Sequence, residues 1–499
     1  MASTLLGSSS GRGRVGATGT TTTEPAGDVR VAVVAPLQQP SPFGVSWAEV
    51  LEHAGQRLGW SEPSIRLTLY DSAQLPAGDA AASAALQAAL AGSQAALALG
   101  IEDPAEAAAL APLLAGAPTA VALGSAAALE RATRLGRRVP AARSADSSNP
   151  LAAMLAKVFP DKQAKLDAQV LHIIDDLYRR TTSDDFVFIF QVLANSYITE
   201  VPAVSMTFKQ KDAGLESLQC MVTKCGGQIF RCVTDTSCKA ALDCLQTCEF
   251  NDQVCSYRCI TSYESPLLED FSLCIIQKHN CFGLTAGIPM VPDPAPLATW
   301  RGQPMTHELA EDLFIGWLQD PSSGLQQLRG GEERLFSWKV FAGKNAAYDF
   351  FPCQFQLFYR GKGKGGMWYD PTFQVKTLDG RTVWRRRHYR VKRAAKPGTF
   401  RFSVLDNGVT SNEFWRILDC AEDLEWCVFY YSGAASRAGL SYSGAILASK
   451  EGQWPTSQEA QQRIEASLQA AGIKPWELSS VDNSNCADAP LDPSLMALA

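Results

Sequence analysis

The chain has no cysteine before Cys220, no Cys-x-x-Cys pair anywhere, and only five histidines, scattered singly. A zinc knuckle or mixed Cys/His site needs such pairs, so no metal is expected. Long apolar runs are missing too. The Ala/Leu-rich stretch 80–129 is broken by Glu102, Asp103, Pro104, Glu106 and Pro118. FVFIFQVLA (Phe186 to Ala194) falls far short of the ~20 apolar residues of a spanning helix. There is no excess of positive charge: 45 Lys and Arg stand against 51 Asp and Glu, a formal charge of -6, so no nucleic-acid partner is expected. Acids are absent from residues 1–23, where Ser, Thr and Gly dominate; the first is Glu24. That composition predicts a chloroplast-type transit peptide or a disordered tail over 1–27.

The 499 residues, 46% hydrophobic, leave room for several cores. VRVAVVAPL (Val29 to Leu37) reads as a buried strand and IRLTLYD (Ile65 to Asp71) as another. Helical segments alternate with these runs, which predicts a small α/β domain over 28–130. It holds no GxGxxG and no P-loop, so its ligand is not legible. A linker and helical region follows over 131–215, where AKLDAQVLHIIDDLYRR carries apolar residues at three- and four-residue spacing. Residues 286–332 are a Pro-rich linker with a short helix, HELAEDLFIGWLQD.

From 333 to 455 the pattern changes to eight short β-rich runs, separated by KGKGG, LDG, KPG and DNG turns. Over 456–499 come a helix, SQEAQQRIEASLQAAG, and a tail. Eight strands and then a helix is the lipocalin order, with a central cavity for one apolar ligand. The predicted fold is multidomain α+β: a small α/β domain, a disulfide-rich helical domain, and an eight-stranded lipocalin-like barrel with a C-terminal helix. The run WRRRHYRVKRAAK (Trp384 to Lys396) reads as solvated strand surface or a dock for anionic lipid.

Ten of the fourteen cysteines crowd into residues 216–285: Cys220, Cys225, Cys232, Cys238, Cys244, Cys248, Cys255, Cys259, Cys274 and Cys281. Cys244/Cys248 and Cys255/Cys259 each sit at i and i+4, on one face of a helix. The six residues EFNDQV between them suit a tight turn. Antiparallel helices would then bring Cys244 to Cys259 and Cys248 to Cys255, a two-rung disulfide ladder. Outside the block, Cys353 and Cys486 are expected to bridge the tail to the barrel. Cys420 and Cys427 are left as buried thiols or bridge partners. Bridges imply an oxidising compartment.

The cysteine spacing, the phrase SCKAALDCLQTC (Ser237 to Cys248) and the barrel segments WKVFAGKNAAYDFFPCQ, WYDPTFQVKTLDGRTVW, HYRV, PGTFRFSVLDNGV and VFYYSGAAS resemble the violaxanthin de-epoxidase family, nearer its de-epoxidase-related branch. The resemblance covers about 218–486. It implies a chloroplast, thylakoid-associated oxidoreductase that removes a 5,6-epoxide from an epoxy-xanthophyll, with ascorbate as reductant. By local motif it implies catalytic roles for Asp349, Glu413 and Tyr431, Glu413 standing where the family has an aspartate. Trp338, Trp368, Tyr369, Trp384 and Trp415 are candidates to line the pigment channel. The enzyme branch carries an Asp where this chain has Pro352 and histidines where it has Gln356 and Tyr359. Those groups would titrate as a compartment acidifies, so a pH-gated membrane attachment is not expected here.

Overall fold

Strand β1 (Val29–Ala35) alternates its side chains between two apolar layers, because both faces of a parallel sheet are covered. The computed structural model describes residues 29–75, 80–132, 135, 139–140, 160–199, 214–316, 325–327, 333–335, 337–361 and 365–491; the segment 1–27, where a transit peptide is expected, and most of the KGKGG turn lie outside the described residues. Around β1 run α1 (Trp47–Ser61), β2 (Ile65–Asp71), α2 (Ala80–Ala91), β3 (Ala95–Leu99), α3 (Pro104–Leu114), β4 (Ala120–Leu123) and α4 (Ala127–Ala132). The sheet is parallel, in the order β2-β1-β3-β4. Val31 and Val33 pack with α1, and Ala32 and Val34 pack with Leu86, Leu90 and Leu110. Helices α5 (Pro160–Arg179) and α6 (Ser183–Tyr197) complete the α1 layer through Ile174, Leu177, Phe190 and Leu193.

The cysteine block folds into α7 (Gly214–Thr234), α8 (Thr236–Thr247), α9 (Gln253–Ser262) and α10 (Pro266–Ser272). Asp235 and Asp252 cap α8 and α9, accepting from the Cys238 and Cys255 amides at 2.7 and 2.9 Å. Few large apolar side chains are buried here, and five bridges do much of the holding. They join Cys220–Cys281, Cys225–Cys274, Cys232–Cys238, Cys244–Cys259 and Cys248–Cys255. The last two are the expected ladder. Cys353–Cys486 also forms. Cys420 and Cys427, left open by the sequence, are cross-strand neighbours and form a bridge, so neither is a free thiol.

Helix α11 (His307–Ile315) precedes the barrel. The strands are β5 (Trp338–Gly343), β6 (Phe355–Arg360), β7 (Gly366–Lys376), β8 (Thr382–Arg386), β9 (Tyr389–Arg393), β10 (Thr399–Asp406), β11 (Val409–Cys420), β12 (Trp426–Ala435) and β13 (Leu440–Ser449). Strands β8 and β9 are two halves of one strand. Both lie against β7 in continuous register, from Lys376↔Thr382 to Gly366↔Lys392, interrupted at Arg387 and His388. Counted so, eight strands run β5-β13-β12-β11-β10-β9-β7-β6 and close by the pairing of β5 with β6.

Inside, Phe314 of α11 plugs the barrel, with ring centroids 4.8–4.9 Å from Phe358, Phe400 and Phe429. Outside, α12 (Gln458–Ala470) lays Ile464 and Leu468 on Leu418, Val428, Tyr430 and Leu447. Period-two alternation explains both: successive strand residues face opposite sides.

The basic run is largely paired within the fold. Arg385 meets Glu264, Arg386 and His388 meet Asp370, Arg387 meets Asp406, and Arg393 meets Glu308 and Glu311. Arg390 and Lys392 stay exposed. The expectation of a mostly solvated face is corrected accordingly: buried or half-buried acids claim most of these cations.

Candidate functional site

Strand β5 ends at Gly343, and the chain turns inward through Lys344 and Asn345 into the helical turn Ala346–Asp349. The Asn345 amide donates to Asp349 Oδ2 at 2.7 Å, and the Asp349 amide donates to the Asn345 carbonyl at 2.8 Å. A side chain at 343 could not coexist with this: a Cβ there would lie 2.5 Å from Asp349 Oδ2. The Asn345 side-chain amide then donates to the Tyr431 hydroxyl at 2.9 Å. One asparagine thus holds both an acid and a phenol.

Strand pairing builds the other half. Tyr431 on β12 faces Trp415 on β11, and their rings stack at 4.9 Å. Two residues along, Glu413 lies opposite Gly433, where a Cβ would come within 2.8 Å of Glu413 Cγ and 2.6 Å of the Tyr442 ring. Trp415 Nε1 donates to Glu413 Oε2 at 2.6 Å, and the Tyr442 hydroxyl donates to Oε1 at 2.7 Å. The structure therefore brings Asp349, Glu413 and Tyr431 into one buried network at 4%, 7% and 6% exposure.

Burial sets the electrostatics. It pushes the Asp349 carboxyl up to about 8, against the Asn345 amide bond and the Lys344 charge. It raises Glu413 too, opposed by the bonds from Trp415 and Tyr442. Tyr431 is driven far above its ordinary range by burial and then by Asp349. Two carboxyl groups biased toward their neutral form can donate protons to an oxygen inside an apolar wall.

The aromatic candidates divide. Trp338, Tyr369 and Trp415 belong to the barrel core. Trp338 donates to the Leu313 and Phe314 carbonyls at 3.3 and 2.9 Å, fixing the plug rather than lining an opening. Tyr369 stacks on Phe358 at 4.5 Å, and Trp415 on Phe402 at 4.6 Å. These rings fill space that the sequence reading gave to a ligand cavity. Trp368 and Trp384 stand on the other face. Trp368 stacks on His388 at 4.2 Å, and Trp384 packs on Phe355 beside the Cys353–Cys486 bridge. Gln356 accepts from the Tyr369 hydroxyl, and the Tyr359 hydroxyl donates to Asp370 at 3.1 Å.

Sequence reasoning missed Asn345, Lys344 and Tyr442. Tyr442 had a signal: it shares the inward alternation of Ile446 and Ala448 along β13. Asn345 had none, because it lies past the end of a strand, where no periodicity applies.

Residues 217–483 match the family described as the VDE lipocalin domain. The chain is 21% identical over 248 residues to violaxanthin de-epoxidase, chloroplastic, of Arabidopsis thaliana, across 49% of this chain and 48% of that protein. It is 21% identical over 251 residues to the Nicotiana tabacum protein of the same name, across 49% and 46%. The chain spans about half the length of the curated relatives it matches. A solved structure titled "The Siderocalin Ex-FABP functions through dual ligand specificities" aligns over 31% of this chain and 97% of its own, at 12% identity and TM-score 0.24.

Proposed function

The chain belongs to the VDE lipocalin-domain family, and from that premise we propose that it reductively removes a 5,6-epoxide from an epoxy-xanthophyll held in the barrel. The observation that carries this reading is the pair of buried carboxyls, Asp349 and Glu413, both raised by burial and gathered around Tyr431 through Asn345 and through the Trp415 ring. Epoxide opening needs a proton at the ring oxygen as a C–O bond breaks. Glu413 is assigned that donation. Tyr431, held by Asn345, orients the oxygen, and Asp349 supplies the second proton. Ascorbate, the reductant implied by the family, provides the two electrons; one oxygen leaves as water and a C=C bond replaces the epoxide. The stacked rings of Phe358, Tyr369, Phe402 and Trp415 must part to admit the substrate, and they then provide an apolar wall that excludes water. The chloroplast relatives support a chloroplast location, and the proposal adds association with the thylakoid, on its lumenal or its stromal side.

The alternative is a carotenoid- or lipid-binding barrel without catalysis. It is favoured by Glu413, whose two oxygens are both already bonded within the protein. Conversion of violaxanthin by oxidised protein with ascorbate, compared with Glu413→Gln, separates the two. Turnover lost in the variant supports the enzyme. Stoichiometric pigment bound unchanged by both proteins supports the carrier.

A further inference from the structure

The α/β unit lies outside the family match, which begins at residue 217. Yet it reaches the candidate site through one lysine. Lys344 is buried, with only 5% of its side chain exposed, and its Nζ lies 2.8 Å from Asp184 Oδ1 on the first turn of α6. Arg57 of α1 binds the same carboxylate and also donates to Glu477 Oε1 at 2.9 Å. Glu477 Oε2 meets His53 at 2.8 Å. Against the cost of burial, His53, Lys344 and Arg57 bring the Glu477 carboxyl down to about 2. Lys344 and Arg57 likewise hold Asp184 ionised. This chain of charges crosses from the α/β unit to the barrel beside a cavity of about 90 Å³ lined by Phe43, Thr182, Asp184, Lys344, Trp476 and Glu477.

The residue after Lys344 is Asn345, which holds Asp349 and Tyr431. Lys344 is further fixed by its amide, which donates to the Ala445 carbonyl at 2.9 Å. We propose that the α/β unit is a working part of the barrel's acid site: Asp184 anchors Lys344, and that anchor holds Asn345 where it clamps Asp349 and Tyr431. Asp184 and Lys344 are then positioning residues. The assignment of roles to Asp349 and Tyr431 rests on the function proposed above, but the anchoring does not require turnover.

The direction of the effect follows from the groups facing Asp349, which are Lys344, the Asn345 amide, Tyr431 and Tyr369. Two of them, the lysine charge and the amide bond, favour the carboxylate. Losing the anchor weakens both and raises the Asp349 titration midpoint.

The test is an infrared pH titration of the Asp349 carboxyl band in the full chain, the band being assigned by its absence in Asp349→Asn. Asp184→Asn and, from the barrel side, Lys344→Met are expected to move the midpoint upward. Asp184→Glu is expected to restore it. In the pigment assay the same two variants are expected to lower kcat with KM little changed. A midpoint unmoved in Asp184→Asn, even where Lys344→Met shifts it by removing its own charge, or a fall in thermal stability alone, would overturn the proposal. Absence of pigment conversion in every protein, with the midpoint still shifting, would count against the proposed function and leave the positioning intact.

Discussion

Replacing Asp349 by Asn removes one ionisable group and keeps its shape and its acceptor for the Asn345 amide. The folded-state carboxyl sits at about 8, against an ordinary 3.8. A carboxyl raised in this way is protonated in the folded protein while the unfolded chain has already lost its proton. Its contribution to stability is therefore complete below about pH 4 and is lost as pH rises through 8. Each pH unit in that window corresponds to ~1.4 kcal/mol, so between pH 5 and pH 8 the wild type should lose about 4 kcal/mol from this group. The variant should lose none of it. The assay is urea unfolding at both pH values, followed by tryptophan fluorescence, with the difference of differences taken between wild type and Asp349→Asn. Parallel pH dependence in the two proteins would refute the claim that burial keeps Asp349 protonated.

Other perturbations follow from the same geometry. Trp415→Phe removes a bond that favours the Glu413 carboxylate, so the Glu413 titration should move to higher pH, read from the alkaline limb of the pigment-conversion profile. Phe314→Ala empties the barrel plug and should cost about 3–5 kcal/mol in chemical denaturation. Cys353→Ser with Cys486→Ser opens a bridge with a sequence separation of 133, and a loss of about 2–5 kcal/mol is expected. Phe314→Ala should leave the Asp349 titration in place, because the plug lies at Leu313, Phe314 and Trp338 and not at Asn345.

Much of the fold was legible because it rests on local periodicity. The continuous apolar run VRVAVVA marked a buried strand, short β-rich runs between turn signals marked the barrel, and i,i+4 spacing gave the Cys244/Cys259 and Cys248/Cys255 ladder. The Cys420–Cys427 bridge was not legible, since it depends on cross-strand register between β11 and β12. Trp384 pairs with Gln374 and so shares the outward face of Trp368, opposite the inward Tyr369, Tyr389 and Val391; which face is inward depends on the pairing with β7. The burial of the basic run depended on acids remote in sequence, such as Glu264 and Glu311. The clamp at Asn345 and the Asp184–Lys344 anchor are tertiary contacts across 86 and 160 residues, beyond the reach of any short motif.

The most direct measurement is pigment turnover by the purified, oxidised full chain with violaxanthin and ascorbate across pH 5 to 8, beside Glu413→Gln and beside protein reduced with dithiothreitol. Conversion to antheraxanthin or zeaxanthin is expected from the oxidised wild type, with loss in the variant and on reduction. Pigment recovered unchanged from the oxidised wild type at every pH would contradict the assignment of Asp349, Glu413 and Tyr431 as a proton-donating site.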